Sequence, residues 1–241
     1  MINFIARLAR WCWHHILPGQ CMWCSLPLAT PVSQLCDYCQ QALPTLAYQQ
    51  CHYNLLWLPA VARGLKGAKF DRLLCLAHYQ QPYQYWIPRW KYYADLAAGQ
   101  LLQQQLCLLL ARAKANNMPM PQALTYVPLH WQKQRQRGFN QAKMLAEALG
   151  QQLQIPVVRL FRKSASHSQR GLNRQQRLRN LRRSFSLTVA EAPLPRHIAL
   201  IDDVITTGAT ANALTRLLRS AGVHTVSVWT LAVTPPPGYS A

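Results

Sequence analysis

The clearest ordering of hydrophobic and polar positions in this 241-residue chain lies near its carboxyl end. An apolar run, HIALI from His197, is broken by two acids and a turn of small residues. Leu214, Leu217, Leu218 and Ala221 then recur at helical period before Gly222, which ends the helix. Val226, Val228 and Leu231 open a second apolar run. Strand, helix and strand in that order predict a βαβ unit and a mainly parallel sheet. Upstream, Leu124–Val127 reads as another strand, followed by a basic loop. Phe139, Ala142, Leu145, Ala146 and Leu149 then form one face of an amphipathic helix. At the amino end, Ile2, Ile5, Leu8 and Ala9 predict a short amphipathic helix that packs on the body. Arg7 and Arg10 interrupt the apolar region an export signal needs. No run of about 18 apolar residues occurs, so no membrane span is expected and the reading is of a cytoplasmic protein.

Composition narrows the function classes. Half of the residues are hydrophobic, enough for a core and too many for a disordered chain. With 26 Lys+Arg against 7 Asp+Glu the net charge is +19, which calls for a polyanionic partner: nucleic acid, phosphorylated metabolite or membrane surface. Between Arg112 and Arg183 stand 15 bases and a single acid, Glu147. Residues 162–185 hold eight of those cations with little apolar periodicity, as expected of a mobile basic loop. Such a loop can close over a ligand, track a nucleic-acid backbone or form a solvated face. Tyr79, Tyr83, Tyr85, Trp86, Trp90, Tyr92 and Tyr93 could stack bases beside Arg89 and Lys91, but core packing is the favoured reading. His130, near the presumed active edge, reads as structural.

The eight cysteines carry a second signal. Cys21/Cys24 and Cys36/Cys39 form two CxxC pairs separated by eleven residues, room for a hairpin that turns four thiolates onto one ion. Four sulfur ligands leave no open position, so the expected Zn²⁺ is structural. Pro18, Gly19, Pro27 and Pro31 supply the turns. The expected module spans residues 1–55, closed by Asn54–Pro59, and an α/β domain follows over 56–241. Cys12, Cys51, Cys75 and Cys107 read as small buried residues, with Cys51 beside His52 a weaker spare-ligand candidate.

Two of the seven acids, Asp202 and Asp203, sit at the carboxyl end of the HIALI strand, the edge at which open α/β sheets bind ligands. Thr206, Thr207, Gly208, Ala209 and Thr210 follow. Small side chains, hydroxyls and backbone N–H groups at a helix amino terminus suit a phosphate, while the paired carboxylates can accept from a sugar diol or reach its Mg²⁺. Neither GxxxxGK[ST] nor GxGxxG is present.

The stretch IALIDDVITTGAT resembles the phosphoribosyl pyrophosphate (PRPP) motif of type I phosphoribosyltransferases. The CxxC pairs, VPLH…RGFNQ and the distal RKSASHSQRGLNRQQRLRNLRRSF narrow the resemblance to the ComF-like family, including its GntX-named branch. It extends from about Cys21 to the last strand, with Ser166 and Trp90-Lys91-Tyr92 departing from the usual pattern. It implies a zinc module joined to a phosphoribosyltransferase domain, associated with competence and the use of external DNA. It further implies that Asp202 and Asp203 engage the ribose hydroxyls as the catalytic pair, and that Thr206 to Thr210 hold the 5′-phosphate. Arg135 and Arg137 would hold the pyrophosphate of Mg²⁺-PRPP. The alternatives are a non-catalytic module handling single-stranded DNA with DNA-processing proteins, and a PRPP-sensing regulator.

Overall fold

A computed structural model describes residues 19–30, 33–65, 67–163, 184–188 and 193–235. The expected amino-terminal helix, Cys12 and most of the expected basic loop lie outside the described residues. In chain order the elements are α1 (Asp37–Gln41), a 3-10 turn (Leu55–Trp57), α2 (Pro59–Gly64), β1 (Arg72–His78), α3 (Tyr83–Tyr93) and α4 (Leu96–Ala115). There follow β2 (Ala123–Tyr126), α5 (Trp131–Arg137), α6 (Gln141–Leu153), β3 (Phe161–Lys163) and β4 (Phe185–Leu187). The chain continues through β5 (His197–Ile201), β6 (Val204–Ile205), α7 (Ala209–Ser220) and β7 (Thr225–Val233).

The main sheet runs β1-β7-β5-β2 with β6 also on β7, and every pair in it is parallel. The expected α/β class, parallel sheet and βαβ unit are therefore present: β5 leads through α7 to β7, its neighbour, with Ile198 opposite Val226 and Ile201 opposite Trp229. Strands buried on both faces need continuous apolar runs, and eight of the nine β7 residues are buried. One face packs on α3, α4 and α6 and the other on α2 and α7, giving two apolar clusters. A separate antiparallel ribbon, β3–β4, frames the stretch in which the basic loop is expected.

Two expectations are corrected. Residues 131–137, read as a basic loop, form helix α5. Gln, Lys and Arg are good helix formers, the His130 ring accepts from the Gln132 N–H, and Gly138 closes the helix at φ +81°. The aromatic segment of α3 is two-sided rather than wholly core. Tyr83, Trp86 and Trp90 follow helical spacing into the interior, whereas Tyr85, Tyr92 and Tyr93 stand exposed. Burying each tryptophan contributes on the order of 5 kcal/mol of transfer free energy. A surface pair such as Lys143–Glu147, at 3.5 Å, contributes less than about 1 kcal/mol, so the aromatics decide how α3 docks.

The cysteine segment packs on this body. Trp86 donates its indole N–H to the Met22 carbonyl (3.2 Å), Gln34 donates to the Ala97 carbonyl (2.8 Å), and Gln40 and Gln105 exchange amide hydrogen bonds. Cys21, Leu28, Leu35 and Cys39 belong to the same apolar cluster as α3 and α4. At the sheet's amino edge, Asp71 receives a bidentate contact from Arg219 (2.6 Å to each oxygen) and the Val226 N–H (2.7 Å), tying α7 to β7.

Candidate phosphate and metal sites

The acids, the threonine loop and the start of α7 meet at the carboxyl edge of the sheet. Asp202 and residues 206–210 line a small open pocket of about 60 Å³ there, and Asp203 stands beside it, outside its lining. The path out of β5 is fixed by its own carboxylates: Asp202 accepts from the Asp203 N–H (2.9 Å) and Asp203 from the Val204 N–H (2.8 Å). Gly208 caps α7 at φ +70°, a conformation other residues rarely adopt, and a Cβ there would meet Leu65 at 3.4 Å. No side chain among the described residues caps α7, so its first N–H groups remain available to an anion. Asn212 steadies this end, accepting from the Lys69 N–H (2.7 Å) and donating to the Gly67 carbonyl (3.3 Å). Thr206 and Thr207 are exposed.

Electrostatics set the two acids apart. Burial, reinforced by the charge of Asp203, pushes the Asp202 carboxyl up to about 8, while Lys91 and Lys163 draw it the other way. Asp203 forms an ion pair with Lys91 of α3, 2.5 Å away. The charge of Lys163, on the β3–β4 ribbon, also reaches Asp202.

Sequence reasoning missed Lys91 as a site residue and left most of RGFNQ without roles. Gly138 ends α5, Phe139 stacks on Trp90 (6.3 Å between ring centres), and Asn140 caps α6 while donating to the Val127 carbonyl (3.1 Å). Gln141 donates to the Lys91 carbonyl (3.5 Å) and accepts from Arg137 (3.4 Å), whose guanidinium lies 5.1 Å over the Tyr92 ring. Arg137 and Lys91 thus share one network leading to Asp203. Arg135, two positions away and so on another side of α5, is exposed. His130 serves as the α5 cap, which is the structural role expected of it.

The four paired cysteines converge. Their sulfurs all lie within 4.8 Å of one another, and those of Cys24 and Cys36 are 3.7 Å apart. Tetrahedral sulfur ligands with bonds of about 2.3 Å stand about 3.8 Å apart, so the cluster can hold a metal ion. The Cys21 N–H bonds the Leu26 carbonyl and the Met22 N–H the Gln34 carbonyl, forming the expected knuckles. Burial works against ionisation of Cys21, but amide donors at Cys24, Cys36 and Trp23 outweigh it and bring the thiol down to about 6. Burial and the neighbouring thiols push Cys39 up instead. Cys51 is no spare ligand: it is buried in the other apolar cluster and its thiol meets the Tyr48 carbonyl (3.4 Å). Cys75 is buried as expected, whereas Cys107 is only half-buried.

No protein-family model matches the chain. Among solved structures, a hypoxanthine phosphoribosyltransferase from Staphylococcus aureus superposes over 56% of this chain and 64% of its own, at 14% identity and a TM-score of 0.36. Adenine phosphoribosyltransferase from Leishmania tarentolae does so over 54% and 70%, at 13% identity and a TM-score of 0.37. Sequence relatives are nearer. The DNA utilization protein YhgH of Escherichia coli K12 is 31% identical over 90% of this chain and 98% of its own length. Competence protein F of Haemophilus influenzae is 33% identical over 220 residues, 88% of this chain and 96% of the relative. Identity at that level over nearly the whole length of both proteins shows that the chain belongs to the ComF-like family of competence protein F.

Proposed function

We propose that the protein binds PRPP, or a closely related ribose phosphate, at the carboxyl edge of its sheet and serves the use of DNA. The observation that carries this reading is a pocket in which an uncapped helix amino terminus with left-handed Gly208 meets Asp202, the first of a strand-end acid pair whose second member, Asp203, is held beside it by Lys91. The helix end and the loop N–H groups take the 5′-phosphate, with Thr206, Thr207 and Thr210 adding hydroxyl donors. Asp202 and Asp203 accept from the ribose hydroxyls. Because Lys91 pairs with Asp203, ligand entry exchanges that contact for one to the sugar and frees an ammonium for the anion. Arg137, linked through Gln141 to Lys91, supplies a cation for the pyrophosphate; Arg135, expected from the sequence to join it, projects from another side of α5. A Mg²⁺ ion bound with PRPP would neutralise part of that charge.

The basic sequence between β3 and β4 supplies cations that could serve the same pocket, since the Lys163 charge reaches Asp202. Transfer to an acceptor would follow if one is admitted; the names of the relatives support a role in competence and DNA utilisation. In the cysteine module the four-sulfur geometry favours structural Zn²⁺. No helix among the described residues is long and apolar enough to cross a membrane. Calorimetric titration of Mg²⁺-PRPP, repeated with single-stranded DNA present, tests the reading. Saturable PRPP binding is expected, and its absence from folded, metal-loaded protein overturns it.

A further inference from the structure

A second polar cavity lies at the opposite edge of the sheet, where β1 begins. Gln49, His52, Trp57, Arg72, Asn116 and Asn117 line an open groove of about 370 Å³, within the range that small-molecule sites occupy. Seven residues of β1, at about 3.3 Å each, put it some 20 Å from the phosphate pocket.

The groove holds a cation that forms no ion pair among the described residues. Arg72 donates to the His52 carbonyl (3.1 Å), but its Nε is buried without a hydrogen bond among the described residues. Asp71, next to it, is already engaged by Arg219 and the Val226 N–H. A half-buried guanidinium in this position seeks an anion with more than one oxygen. Beside it Trp57 keeps 60% of its surface in solvent, an unusual exposure for an indole, with His52 standing edge-on to it at 5.8 Å. Three side-chain amides, of Gln49, Asn116 and Asn117, complete the wall; the Asn116 nitrogen already donates to the Arg112 carbonyl (2.8 Å), and its oxygen can accept. His52 (φ +46°), Tyr53 (φ +57°) and Asn117 (φ +59°) all take the left-handed conformation around the groove, so its shape is held against local backbone preference.

We propose that this groove binds a nucleotide unit, with the phosphate at Arg72, the base against Trp57 and the Asn116 and Asn117 amides at the base edge. An acidic peptide would use the cation but neither the indole nor the amides. The nucleotide can be free or can be one residue of a single strand, and the two are separable.

Titrations of thymidine 5′-monophosphate and of a short oligothymidylate, on wild type and on Trp57→Ala, test the proposal. Trp57 is exposed, so its loss leaves folding intact. The expected result is a loss of at least about fivefold in nucleotide affinity in Trp57→Ala, recovered in Trp57→Phe, because stacking needs a ring rather than an indole. Arg72→Gln should weaken the monophosphate and leave thymidine unchanged. If monophosphate and oligomer both respond, the free nucleotide is a ligand; if only the oligomer responds, the site takes a residue of a strand. Unchanged affinity for both in folded Trp57→Ala, or Arg72-dependent binding of polyglutamate without any nucleotide effect, overturns the proposal. Repeating the oligomer titration on Asp202→Asn/Asp203→Asn protein keeps the two edges apart, since binding here should survive whatever that variant does to PRPP.

Discussion

Two residues at the phosphate pocket carry costs that a purely structural position would not. Gly208 sits at φ +70° with Leu65 3.4 Å from where a Cβ would be. Gly208→Val should therefore abolish phosphate affinity and destabilise the protein by about 1–2 kcal/mol or more. Thr207→Ala should lower affinity only a few-fold, because it removes one hydroxyl and leaves the N–H donors. Phosphate titration with denaturant unfolding on both variants measures this, and equal affinities would contradict a cradle led by the backbone. Asp202 holds its proton up to about pH 8, well above an unfolded carboxyl near 4. The folded state then binds more protons than the unfolded one across that interval, so this group's effect on stability worsens as pH rises from about 4 to 8. Asp202→Asn keeps the acceptor for the Asp203 N–H and should match wild type at pH 4. At pH 8 it should be more stable by at least about 1 kcal/mol, as read by urea midpoints at the two pH values.

At the scale of elements, close packing makes equally sharp demands. A Cβ on Gly99 would fall 2.5 Å from the Trp90 indole nitrogen, and Trp90 is fully buried and cannot swing aside. Gly99→Ala should cost about 1–3 kcal/mol by forcing α3 and α4 apart, against the small gain expected of alanine in an exposed helix. Thermal unfolding of the variant checks it. The cysteine knuckles should lose their metal in Cys36→Ser, because the Cys24 and Cys36 sulfurs lie 3.7 Å apart on a shared ion site. Metal analysis should fall from one zinc per chain to none while the sheet's circular dichroism persists. Which elements the sequence revealed follows from how local their signals are. The β5-α7-β7 unit was legible because its apolar period changes from strand to helix within one short stretch. The Gly208 turn was legible because glycine takes a positive φ far more readily than other residues. Helix α5 was not, since WQKQRQR has no apolar face and its helicity rests on caps at His130 and Gly138. The ribbon strands β3 and β4, three residues each, are too short to show a period. Lys91 was legible as a cation among aromatics but not as a partner of the acid pair, because Asp203 is 112 positions along the chain, a contact that no local pattern encodes.

For the molecule as a whole, the parallel sheet separates two polar edges. The carboxyl edge gathers the acid pair, the helix end, Lys91 and the base of the basic ribbon. The amino edge holds Arg72 and Trp57. A net charge of +19 draws polyanions to either, so DNA affinity alone cannot distinguish them; it should fall by about 0.7 log unit per decade of salt for each phosphate neutralised. Replacing Arg174, Arg177 and Arg179 by Gln should flatten that slope if the basic segment tracks a strand, and weaken PRPP binding instead if it covers the pocket. The acid pair gives the most direct test, because acids at a strand's carboxyl edge serve a ligand rather than the core. Calorimetric titration of Mg²⁺-PRPP should give saturable heats with wild type and none with folded Asp202→Asn/Asp203→Asn protein. Equal heats from the two proteins would contradict the assignment of this edge as the ribose-phosphate site.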